Sequence, residues 1–175
     1  MSAHAPAPIA SLAELLAYAL EIEREATTRY EELADQMEVH HNTEVAALFR
    51  RLAGYEREHR REIEQRIGAT ALPALAEWDY RWVDPESPEA APYDGAHYLM
   101  TVRQALELAL HNEQRARDFY EGLAAALVEP GARTLAAAFA AEEREHVRYV
   151  EEALVNVPPD VPGWNDDLDP ATALD

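Results

Sequence analysis

The tetrapeptide Glu-Arg-Glu-His occurs twice in this chain, at 56–59 and at 143–146, each time inside a helix-length stretch whose apolar residues recur every three or four positions. One stretch reads Val45, Phe49, Leu52, Glu56, His59, Ile63, and the other reads Ala132, Ala136, Phe139, Glu143, His146, Val150. The segments that precede them repeat as well: Leu16, Ala19, Glu23, Ala26, Tyr30, Leu33, Met37 matches Leu106, Ala109, Glu113, Ala116, Tyr120, Leu123, Leu127. Alternating steps of three and four are the signature of a bundle-facing seam. The sequence therefore predicts two similar helical hairpins related by a pseudo-twofold axis.

Local signals set the boundaries. A capping box, Ser11 with Glu14, opens a first helix over about Leu12 to Val39, which His40, His41 and Asn42 break. A second runs from Thr43, with Asn42 or Thr43 as N-cap, to about Ile67, where Gly68 suits a left-handed stop. From about 69 to 100 the periodicity dissolves among Pro73, Pro85, Pro88, Pro92 and Gly95, interspersed with Trp78, Tyr80, Trp82, Tyr93 and Tyr98. A third helix starts at the Thr101–Gln104 capping box and ends near Val128, and a fourth covers about Ala132 to Val157 after the Glu129-Pro130-Gly131 stop. The expected architecture is all-α: a four-helix bundle over 11–157 with one long crossover connection between helices two and three. Residues 1–10 read as a flexible N-terminus, and 158–175 as an acidic, Pro-rich tail that only Trp164 could anchor.

The chain has 175 residues, enough for one main core. With 15 basic residues, all arginine, against 34 acidic ones, its net charge of -19 repels phosphate and argues against a nucleic-acid partner. It has no cysteine, which excludes disulfides, thiolate metal sites, iron–sulfur clusters and thiol nucleophiles. No apolar run approaches the roughly 18 residues a membrane span needs, and no basic leader precedes the first helix, so a cytoplasmic location is expected.

Each seam is apolar except at its centre, where a Glu, or a Glu with a His one turn later, interrupts it. Four ionised carboxylates in one low-dielectric core repel one another, and each unpaired ion costs several kcal/mol. Two divalent cations balance them charge for charge. Residues three apart on a helix lie within about 60° of each other, so Glu56 and His59 can share one ion and Glu143 and His146 the other. Glu23 and Glu113 complete the two sites. Carboxylate-rich donors with two imidazoles suit iron first and manganese second.

These residues resemble the di-iron site of rubrerythrins, within the ferritin-like superfamily: Glu23 followed by Tyr30, Glu56-x-x-His59, Glu113 followed by Tyr120, and Glu143-x-x-His146. The resemblance covers most of 12–157. It implies a ferritin-like bundle holding two Fe ions that react with hydrogen peroxide or dioxygen, with Glu56 and Glu143 as bridging ligands and Glu23 and Glu113 as terminal ones. Two departures bear on function. Rubrerythrins proper append a rubredoxin domain built on four cysteines, so electrons here must come from an external donor protein or from Fe2+. They also carry an extra carboxylate one turn beyond the helix-three Glu, where this chain has Ala116. A set of four Glu and two His is similar to the ferroxidase centres of bacterioferritin-type proteins.

Three functions follow as expectations. The first is oxidoreduction of peroxide or dioxygen in oxidative-stress defence. The second is oxidation of Fe2+ for storage or transfer. The third is a non-enzymatic helical interaction protein whose metal is structural. Tyr30 and Tyr120, two turns beyond Glu23 and Glu113, are expected to support a ligand through their hydroxyls, the plainer reading being a core aromatic with one hydrogen bond. His111 reads as surface, and His40 and His41 as helix termination. Trp78, Trp82 and Tyr93 read as the apolar side of a segment crossing the bundle, or as part of a contact in a homodimer, which rubrerythrin-like bundles commonly form.

Overall fold

A computed structural model describes residues 9–75, 80, 82, 87–90 and 98–160. The expected flexible N-terminus up to residue 8, the packing of Trp78 and Tyr93, and the tail from 161 with Trp164 lie outside the described residues.

Ser11 starts the first helix as the sequence predicts. Its hydroxyl accepts from the Glu14 amide at 3.2 Å, while the Glu14 carboxylate accepts from the Ser11 amide at 3.1 Å. From there α1 runs Leu12–Val39. The chain reverses through His41, whose φ of 61° lies in the left-handed region, and α2 follows over Thr43–Ile67. Asn42 is the N-cap residue by position, yet its side chain makes no cap bond. It donates to the Met100 and Tyr98 carbonyls at 2.8 and 3.2 Å, so the first hairpin turn grips the end of the crossover. Gly68, at φ 52°, closes α2. A second capping box, Thr101 with Gln104, opens α3 over Val102–Ala126, and α4 covers Pro130–Val155.

Three boundaries differ from the sequence reading, the slightest in consequence being the end of α4 at Val155, two residues before the expected Val157. The third helix stops at Ala126, because Leu127 turns extended (φ -65°, ψ 132°) and drops into the core at 5% exposure. The fourth begins at Pro130, two residues early: Pro is suited to the first helical position, and the Glu129 carboxylate accepts from the Gly131 and Ala132 amides at 2.9 and 2.6 Å. What reads as a stop is a cap.

The bundle is held within hairpins by the predicted seams. Every seam residue of α1 is buried, and so are Val45, Phe49, Leu52 and Ile63 of α2. Two apolar clusters result, one around Tyr30, Met37, Phe49 and Leu106, the other around Leu16, Ile22, Tyr120 and Phe139. Trp82 of the crossover packs on the second, edge-on to Tyr18 at 5.1 Å and Phe119 at 6.0 Å. Between the two clusters, at mid-bundle, the polar seam residues meet. Arg66 of α2 bonds Glu142 of α4 at 2.6 Å beside them and lies over the Phe139 ring.

Candidate metal centre

Four helices each deliver one carboxylate to the middle of the core. Glu23, Glu56, Glu113 and Glu143 are 3 to 6% exposed, and each stands where the three-four spacing of its own seam points inward. The imidazoles follow one turn later and are half-buried. Ligand atoms of Glu23, Glu56 and His59 lie within 4.8 Å of one another, and those of Glu113, Glu143 and His146 do the same. Each group takes its residues from one hairpin.

Both imidazoles present Nδ1 to the carboxylates. His59 Nδ1 stands 3.3 Å from Glu56 Oε2 and 3.8 Å from Glu23 Oε2. His146 Nδ1 stands 3.0 Å from Glu143 Oε2 and 3.3 Å from Glu113 Oε2. The two rings face each other, centroids 4.3 Å apart and 3° from parallel. Stacked rings aimed at opposite acid pairs form one wall of the centre.

Electrostatics shows what the arrangement costs without cations. Burial, then repulsion from Glu56 and Glu143, pushes Glu23 well above the ordinary carboxylate range. Burial raises Glu56 too, against the pull of His59. Glu143 rises to about 7, because burial and Glu113 outweigh the hydrogen bond to His146. Burial disfavours the His146 imidazolium, yet its bonds to Glu113 and Glu143 carry it up to about 11. These are acids held together against desolvation and mutual repulsion. Glu23 Oε2 moreover has no hydrogen-bond partner. An orphaned buried carboxylate oxygen facing other acids and two imidazole nitrogens suits divalent cations, so the residues fit a two-metal centre.

Sequence reasoning missed two residues. Glu89, in the crossover turn Ser87–Ala90, is 4% exposed and brings a ligand atom within 4.8 Å of those of Glu23 and Glu143. It lies in an aperiodic stretch, where no spacing signals an inward direction. Asn112, 1% exposed, donates from Nδ2 to the Tyr30 hydroxyl at 3.2 Å. The repeat itself could have revealed it, since the matching position of α1 is Ile22 and a polar residue there breaks the pattern. Tyr30 stacks on Phe49 at 6.0 Å and Tyr120 tilts against Phe139 at 5.1 Å. Both phenols are pushed well above their usual range by burial and neighbouring carboxylates, and so stay protonated. His111 is exposed, as predicted, and His40 lies in the hairpin turn beside Tyr98.

A cavity of about 630 Å³ leads from the surface between α2 and α4 to Glu56, His59, Glu113 and His146. Its walls are mainly apolar, with Leu52, Leu106, Val150 and Ala153 among them, and Tyr55 and Tyr149 stand at its exposed side. Among the described residues no helix is long and apolar enough to cross a membrane.

Comparison with known proteins agrees with this geometry. A crystal structure of an uncharacterised conserved protein from Magnetospirillum magnetotacticum MS-1 is similar at 42% identity and a TM-score of 0.65, covering 86% of this chain and 98% of that one. No curated protein matches. The rubrerythrin family model matches residues 14–154, which span all four helices and all six seam-centred Glu and His residues. The chain belongs to the rubrerythrin family, on a ferritin-like four-helix bundle.

Proposed function

We propose that this protein is a non-haem di-iron oxidoreductase that reduces hydrogen peroxide or dioxygen, with electrons drawn from an external donor protein. The observation that carries the reading is the convergence of Glu23, Glu56, His59, Glu113, Glu143 and His146 on two adjacent three-residue groups in an otherwise apolar core. Iron bound there supplies one-electron chemistry from each of two ions, side by side, to a small oxidant.

The chain's own residues set the conditions. The carboxylates would offer each ion hard oxygen donors, with Nδ1 of His59 and His146 turned toward the same acids. His146 Nδ1 holds a proton between Glu113 and Glu143, which it would have to give up for these residues to hold a cation. The apolar cavity admits a small uncharged oxidant to the imidazole side while limiting bulk water. Tyr30 and Tyr120 remain neutral phenols near the carboxylates, where they support the packing of the ligand helices.

Stopped-flow mixing of the reduced, iron-loaded protein with peroxide, and separately with dioxygen, tests the reading. Oxidation should outrun a buffer control with at least one oxidant, and no acceleration with either would remove the proposal. The donor set of four Glu and two His also supports ferrous oxidation for iron handling. Repeated turnover with excess Fe2+ separates the two: a centre that fills with two ions and then stops is not a ferroxidase in turnover. The mainly apolar cavity walls favour the first reading, because a hydrated dication gains nothing along them.

A further inference from the structure

One buried acid reaches the centre from the only stretch of the described core that has no counterpart in the repeat. Pro88 occupies the second position of a tight turn, closed by the Ala90 amide donating to the Ser87 carbonyl at 3.1 Å. Arg115 of α3 bonds the same carbonyl at 3.4 Å, and all four turn residues, Ser87 to Ala90, are buried. The turn therefore holds Glu89 in a fixed place inside the bundle.

Glu89 stands against one acid from each hairpin, Glu23 of the first and Glu143 of the second, with ligand atoms of all three within 4.8 Å. Its Oε2 has no hydrogen-bond partner, nor does Oε2 of Glu23. A turn needed only for packing would place an apolar side chain there, and a surface turn would leave its glutamate in water. A carboxylate buried without a partner costs several kcal/mol, and a cation between the facing oxygens removes that cost.

We propose that Glu89 is a fifth carboxylate ligand of the two-metal centre, supplied by the crossover and set between its two halves. The inference rests on the di-metal reading above and adds two consequences to it. The crossover becomes part of the site, so metal loading fastens it to the bundle. Charge balance also changes: five carboxylates exceed two dications by one negative charge, which favours ions of higher charge and lowers the midpoint potential of an iron-loaded centre.

Cobalt(II) titration of the full chain tests this without reference to turnover. The wild type should bind two ions. In Glu89→Gln the weaker ion should lose about tenfold or more in affinity, and the visible cobalt bands should gain intensity as the coordination number falls. Glu89→Asp, which keeps the charge and shortens the reach, should lose affinity too. The midpoint potential of iron-loaded Glu89→Gln should shift upward. Metal-free Glu89→Gln should melt no lower than the metal-free wild type, while its gain in Tm on adding cobalt should shrink. Wild-type affinity and spectrum in Glu89→Gln would overturn this inference alone, since Gln preserves what a neutral hydrogen-bonding acid would do. An equal loss of Tm with and without metal would also overturn it, by assigning Glu89 a packing role. A wild type that takes up fewer than two ions would overturn the di-metal reading together with this one.

Discussion

The two halves of the centre carry the same three residues, two Glu and one His, at the same helical spacing, yet they are not equivalent. His146 Nδ1 lies 3.0 and 3.3 Å from its two carboxylates, against 3.3 and 3.8 Å for His59. Its ring is also the less exposed, 20% against 27% for the side chain. The orphaned oxygen belongs to the first half, on Glu23, and none is found on Glu113 or Glu143. The duplicated residues offer the candidate donors, while positions that the duplication does not share tell the halves apart. Asn112 stands where the other hairpin has Ile22, and Glu89 comes from a crossover that occurs once.

The largest effect should come from removing one half at a time. Glu56→Ala with His59→Ala, and Glu143→Ala with His146→Ala, each delete two donors from one group and leave the other group whole. If the halves act together on one oxidant, either double variant should lower the rate of oxidation by about 100-fold or more. Metal analysis should show one ion or none in place of two, with helix content by circular dichroism retained. A variant that keeps half the activity would mean that each half works alone, and a protein whose function survives both would belong to the structural-metal class.

Proton competition offers the next largest difference. Glu143 ionises near 7 in the folded protein, raised by burial, whereas its ordinary value is 4.5. Burial likewise raises Glu23, Glu56 and Glu89. The folded state thus binds more protons than the unfolded chain above pH 4.5, and metal-free stability falls as pH rises from there through 7. The His146 contribution has the same sign: burial opposes its charge, bonds to Glu113 and Glu143 prevail, and the stabilisation present below 6.5 is lost as pH rises toward 11. Thermal melts with chelator should therefore show a higher Tm at pH 5 than at pH 8. Melts with saturating Mn2+ should show the reverse, because protons compete for the donors. Metal-free stability that rises over this range would contradict the arrangement of charges.

How much of this could be read beforehand differs between the repeated and unrepeated parts. Helix starts marked by side chains, Ser11 with Glu14 and Thr101 with Gln104, fall where the sequence places them, because a capping box is a local interaction. The inward direction of Glu23, Glu56, Glu113 and Glu143 is equally local, since each is flanked by seam residues one turn away. The end of α3 is not, because Leu127 leaves the helix for a place in the core that only the packed bundle defines. Glu89 is harder still. Its burial depends on a turn held by Pro88 and by Arg115 from another helix, and among many surface glutamates nothing nearby in sequence distinguishes it.

Asn112 gives the smallest and most discriminating test of asymmetry. Replacing it with Ile, the residue at the matching position of α1, removes the donor to the Tyr30 hydroxyl but also an Oδ1 that has no partner of its own. The two changes oppose each other, so Asn112→Ile should cost only about 1 kcal/mol. Tyr30→Phe deletes the acceptor and strands the buried Nδ2, which costs about 1 to 3 kcal/mol. With both replaced no orphan remains on either side of that bond, and the double variant should be more stable than the sum of the single losses predicts, by about 1 kcal/mol. Denaturant unfolding of the four metal-free proteins measures this coupling. Strict additivity would show that the bond contributes nothing, and Asn112 would then drop out of what distinguishes the halves. Measurable coupling would mean that one hairpin reaches across to the aromatic core of the other in a way its twin does not.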